Sequence, residues 1–129
     1  MMEILEKLIK IERQVSLEKG DFDLFALFLR EDSFEKWDVL VSAMWISADK
    51  GEALKYLASK VQNSLNQEEL LRISGIIIIE ESNPALPALQ QAISIEHSSA
   101  EIKNSNFFGL QIKHAYLITS KKRSVTKEI

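Results

Sequence analysis

Two hydrophobic periods run along this chain and divide it into elements. In residues 3–18, Ile4, Leu8, Ile11 and Val15 recur at i, i+4, i+7 and i+11, and Leu5 and Ile9 widen the stripe. Glu3, Glu6, Lys7, Lys10 and Arg13 occupy the other side. That spacing predicts an amphipathic helix, with Gly20 suited to stop it. Residues 22–29 are rich in Phe and Leu with almost no polar break. They read as a strand buried on both faces, with a short buried helix as the alternative. Residues 37–46, with Val39, Leu40, Val41, Met44 and Trp45, read as a second strand. The short acidic connection between the two fits an antiparallel hairpin.

The helical period returns over residues 49–64, where Leu54, Leu57, Ala58, Val61 and Leu65 share one stripe. Asn66-Gln67-Glu68-Glu69 has the form of a capping box and predicts a short second helix through Arg72. Residues 73–79 contain four consecutive isoleucines, and β-branching favours the extended state there. A run apolar on both sides predicts a central strand covered on both faces. Ser82-Asn83-Pro84 opens another helix, with Leu86, Leu89 and Ile93 on its buried side; Pro87 argues for a start nearer that residue. Residues 100–104 predict a weak strand, Asn104-Ser105-Asn106 a turn, and residues 112–119 an alternating strand with Ile112, His114, Tyr116 and Ile118 on one face.

The resulting order is α-β-β-α-α-β-α-β-β. It predicts an α/β fold, with α+β as the variant: a single mixed sheet of about five strands flanked by helices. The domain spans residues 1–119, followed by a basic, flexible tail over residues 120–129.

Composition narrows the function classes. The chain has 129 residues, 46% hydrophobic and 27% charged, enough to bury a core without staples. It has no cysteine, which removes disulfides, thiolate zinc sites and cysteine nucleophiles. The longest purely apolar run is six residues, far below the ~20 of a spanning helix, and the N-terminus lacks the pattern of a secretory signal. The default expectation is a cytoplasmic protein with no membrane association.

Net charge is −3, which gives no overall pull toward nucleic acid. Residues 20–40 hold six acids and two bases, whereas residues 120–129 hold Lys121, Lys122, Arg123 and Lys127 against Glu128. No aromatic interleaves that tail, so it reads as a solubilising end; a nucleic-acid accessory role would rest on it alone.

Candidate chemistry is sparse. If strands 37–46 and 73–79 run parallel, their carboxyl ends gather Ser47, Asp49, Glu80, Glu81, Ser82 and Asn83 on one sheet edge, where open α/β sheets bind ligands. Asp49, Glu80 and Glu81 are the candidate oxygen ligands for Mg²⁺ or Mn²⁺. The plainer explanation is helix N-capping. Glu101-Ile102-Lys103 places an acid and a lysine on one strand face; with Glu80 or Glu81 it would resemble the catalytic set of a metal-dependent hydrolase or nuclease. His97 falls in a polar loop and His114 on an otherwise apolar strand face, with no zinc spacing between them. Trp37, Trp45, Phe107 and Phe108 read as core or contact aromatics. No phosphate loop or nucleophile elbow occurs.

The expectation is therefore a non-catalytic protein that binds another macromolecule or itself, as a homodimer, with no cofactor. The broad N-terminal helix stripe would pack on the sheet or across a dimer axis, and a small sheet leaves an edge strand to pair.

Overall fold

The computed structural model describes residues 1–32 and 34–122. The tail reading over residues 120–129 thus falls largely on residues 123–129, outside the described residues.

Among the described residues, ten elements follow the predicted order with one short helix, α2, added: α1 (Met2–Lys19), β1 (Leu24–Arg30), β2 (Trp37–Ser42), α2 (Met44–Ala48), α3 (Lys50–Ser64), α4 (Gln67–Leu70), β3 (Ile73–Ile78), α5 (Ala85–Ala92), β4 (Ala100–Phe107) and β5 (Leu110–Ser120). The strands form one mixed sheet in the order β3-β2-β1-β5-β4. β1 pairs antiparallel with β2 and β5, β4 pairs antiparallel with β5, and β2 pairs parallel with β3. The α/β reading and the two flanking hairpins stand.

β1 lies at the centre because both faces of its LFALFLR sequence are apolar, and six of its seven residues are buried. Phe25, Leu27 and Leu29 face one side, joined by Val39, Val41 and Ile118. α1 and α3 cover that side with Ile4, Leu5, Leu8, Ile11 and Val15 from the first and Ala53, Leu57 and Val61 from the second. Leu24, Ala26 and Phe28 face the other side with Leu40, Ala115 and Leu117, under Leu86 and Leu89 of α5. The stripe of α1 is therefore spent in the chain's own core and is not left for a dimer axis.

Four expectations are corrected. The isoleucine strand is an edge strand, not a central one: β1 takes β2 and β5 as neighbours, which leaves β3 on β2's outer side with one strand partner among the described residues. Its residues are half-buried or exposed, and Ile77 is 36% exposed. The second strand ends at Ser42, and Met44 and Trp45 belong to α2. An apolar run at a sheet end does not reveal where the chain turns out of the sheet. Asn104-Ser105-Asn106 lies inside β4; the hairpin turns instead at Phe108-Gly109, whose φ values of 54° and 73° fit the primed turn that matches strand twist. Ile112 faces the α5 side, away from Tyr116 and Ile118, because the pairing of β1 with β5 shifts between Leu29 and Arg30.

Local chemistry explains the remaining joints. Asn66 and Glu69 form the predicted capping box. Pro87 sits in the first turn of α5, where its missing N–H forfeits no helical bond. Gly20 ends α1 at φ 127° and offers its carbonyl to the Trp45 indole at 3.1 Å. Asp38, buried in β2, is held by Arg30 Nε at 2.9 Å across the β1–β2 hairpin.

Candidate functional site

The parallel pairing of β2 and β3 does bring their carboxyl ends to one sheet edge. The residues gathered there serve local structure. The Asp49 carboxylate accepts from the Glu52 N–H at 3.2 Å and caps α3. The Asn83 side-chain oxygen accepts from the Ala85 N–H at 2.9 Å at the mouth of α5. Glu80 pairs with Lys50, and Ser47 is exposed on α2. Among the described residues, no group of three or more His, Asp or Glu side chains is placed to hold a metal ion. Asp49, Glu80 and Glu81 therefore do not form the expected oxygen cradle.

The second constellation is taken apart by topology. Glu101 and Lys103 lie on β4, at the opposite edge from β3. Four inter-strand spacings separate those edges, about 19 Å, so neither Glu80 nor Glu81 shares a cleft with Glu101. Glu101 instead meets His114 Nε2, with Lys103 Nζ at 3.9 Å. The His114 ring lies 5.4 Å from that of Trp37 and 4.7 Å from that of Tyr116, and the two flanking rings are 5.6 Å apart. Burial, reinforced by the nearby Glu101 carboxylate, pushes the Tyr116 phenol above its ordinary pKa. This half-buried group ties side chains of β2, β5 and β4 together across one sheet face.

His97 has a partner that sequence reading missed. Its Nδ1 lies 2.7 Å from Oε1 of Glu12, a fully buried carboxylate on α1. Glu12 Oε2 also accepts from the Thr119 hydroxyl at 2.8 Å and from the Ser16 hydroxyl at 3.2 Å. The Thr119 hydroxyl in turn accepts from the His97 N–H at 3.1 Å. A buried carboxylate must be satisfied in this way or incur its desolvation cost. The network joins α1, β5 and the loop after α5. A signal existed: Glu12 falls one turn after Leu8 and beside Ile11, within the apolar stripe.

The remaining feature is the open side of β3. Its sequence, ISGIII, carries no charge and no proline. Ile79 N–H donates to Val41 O at 2.8 Å. Backbone groups alternate sides along a strand, so Ile77 faces β2 as Ile79 does, and the N–H and C=O of Ile76 and Ile78 point away from the sheet. Beside this edge lies a groove of about 380 Å³ between α3 and β3, lined by Leu54, Ala58, Val61, Leu70, Ile73 and Ile76, with Gln62 and Gly75. Among the described residues, no charged side chain lines it. The apolar stripe of α3 is wider than the surface it buries: Leu57 and Val61 are in the core, while Leu54 is 39% exposed. Leu71, just before β3, is 71% exposed.

Comparisons with protein-family models, with curated proteins and with solved structures return no match for this chain. No helix among the described residues is long and apolar enough to cross a membrane. The functional reading therefore rests on the residues themselves.

Proposed function

We propose that this chain is a small non-catalytic interaction module that binds an extended polypeptide segment by strand addition at β3. The observation that carries this reading is the coincidence of an uncharged edge strand with an apolar groove along the same edge. Natural sheets blunt their edges with charges, prolines or covering segments, because an open edge recruits other strands. β4, the other edge, is defended in this way by Glu101 and Lys103; β3 is not. Strand addition supplies backbone hydrogen bonds, and adjacent pockets that receive alternate side chains supply selectivity. The α3–β3 groove is placed to receive them.

The test uses a fluorescent peptide carrying the sequence of residues 71–81, with terminal lysines added for solubility, titrated into the full chain. The expected result is saturable binding, with NMR perturbations at the Ile76 and Ile78 amides and at Leu54 and Ala58. Absence of binding at about 1 mM peptide, the weak limit of ~4 kcal/mol, rejects the reading. So do perturbations confined to β4.

A further inference from the structure

We propose that this chain holds a second binding site, for an organic carboxylate with an apolar body, at the pole of the sheet where β2 and β3 begin. Trp37, the first residue of β2, pairs with Ile73, and its N–H donates to Arg72 O at 2.7 Å. That pairing sets the loop before β2 beside the segment before β3. β5 adds Lys113 through a bulge: Leu29 pairs with His114 and Arg30 with Ile112, which leaves Lys113 over. Such an extra residue re-aims a side chain, and bulges recur next to functional sites. The cleft formed here measures about 460 Å³, inside the ~300–1,000 Å³ of small-molecule sites. It shares no lining residue with the α3–β3 groove.

The charged side chains of the cleft call for an anion. Lys36, Arg72 and Lys113 line it against one acid, Glu35, on a chain whose net charge is −3. Lys36 is already engaged within the fold. Among the described residues, the Arg72 guanidinium and the Lys113 ammonium have no acidic or hydrogen-bonding partner. A guanidinium presents a planar fork that meets a carboxylate at two points. The apolar lining calls for more than an inorganic ion. Leu29 and Trp37 line the cleft from the core, and the Trp37 ring is steadied by those of His114 and Tyr116 at 5.4 and 5.6 Å. Phe34 and Leu71, 95% and 71% exposed, line it from the outside. Large apolar side chains gathered in the open mark a binding surface. A ligand with its carboxylate at Arg72 and Lys113 and its apolar body against Trp37 answers both needs at once.

The experiment titrates octanoate into the full chain, with octanol and acetate as controls, and follows amide and indole NMR signals. Octanoate should saturate with a Kd below about 1 mM. It should move the Trp37 indole and the Lys113 amide but not the Trp45 indole, whose N–H is held by Gly20 O. Octanol should bind about tenfold more weakly, and acetate should not saturate by about 10 mM. Arg72→Gln and Lys113→Gln should each weaken octanoate binding about threefold or more, whereas Glu35→Gln should tighten it about twofold. Opposite signs separate a charged site from plain apolar adsorption, and all three positions are exposed, so the fold should stand. No saturation by octanoate at about 3 mM overturns the proposal. So do equal affinity for octanol, acetate binding as tightly as octanoate, shifts confined to Trp45, or variants that leave the affinity unchanged. Strand addition is read with a peptide at Ile76 and Ile78, so each proposal fails without the other.

Discussion

The buried carboxylate of Glu12 offers the sharpest test of how this fold is held. In Glu12→Ala, three donors lose their acceptor: Thr119 at 2.8 Å, His97 at 2.7 Å and Ser16 at 3.2 Å. Water can replace the carboxylate for two of them, because the His97 side chain is 29% exposed and Ser16 is half-buried. Thr119 is only 1% exposed, and its hydroxyl proton would be stranded. A buried unsatisfied donor costs about 1–3 kcal/mol. The one lost methylene adds about 0.8 kcal/mol of burial. The expected total is about 2–4 kcal/mol, a large share of the ~5–15 kcal/mol typical of a domain. With a urea slope of ~1–3 kcal/mol/M, the unfolding midpoint should fall by about 1–4 M. The double variant Glu12→Ala/Thr119→Val removes the stranded proton as well, so it should be more stable than additivity predicts by about 1 kcal/mol. A loss below about 0.5 kcal/mol in the single variant, or strict additivity in the double, would refute the assignment of this network as the joint between α1 and β5.

Two further predictions concern the periphery. Burial, together with its hydrogen bond to Glu18, pushes the Tyr56 phenol up to about 12. Because the folded value exceeds the ordinary 10, the associated stability is complete below pH 10 and disappears as pH rises through about 12. Phenolate absorbance should show this late titration. Glu18→Gln should bring it earlier, and Tyr56→Phe should leave only the titration of Tyr116, itself raised; a Tyr56→Phe variant whose late component was undiminished would contradict the assignment. Gly20→Ala and Gly109→Ala both force a side chain onto positive φ, at 127° and 73°. At Gly109 no atom stands within 4 Å of the new methyl, so thermal unfolding should report only the left-handed backbone cost of ~1–2 kcal/mol. At Gly20 the methyl would stand 3.3 Å from Trp45 in a backbone region almost confined to glycine, so the loss should be larger, ~2–3 kcal/mol. Equal losses would show that the contact with Trp45 carries no weight.

The candidate site was legible in a different measure from the fold. The parallel relation of the second and third strands, and hence the shared edge of their carboxyl ends, followed from the helical segment between them. That Asp49 caps α3, and that Asn83 accepts a backbone N–H at the mouth of α5, followed from their places before those helices. The approach of Glu12 to His97, separated by 85 positions, did not, because no local period encodes which loop a helix face will meet. The proposed binding surface was equally hidden. Leu54 and Ala58 belong to a helical stripe that reads as core, and only the extent of the sheet beneath α3 decides that they line a groove.

By itself, the order of residues determined what local physics can determine. It set the helical stripe of α1, the capping box at Asn66 and Glu69, the extended state of the isoleucine run, and the α-β-β-α-α-β-α-β-β succession. Strand order belonged to the tertiary structure. An apolar run states that a strand seeks cover, not whether its neighbours supply it, and the answer depended on β1 taking β2 and β5 as partners. That choice moved the isoleucines from the centre of the sheet to its rim. A buried core strand would have had no surface to offer, whereas this edge has backbone donors and acceptors directed away from the sheet.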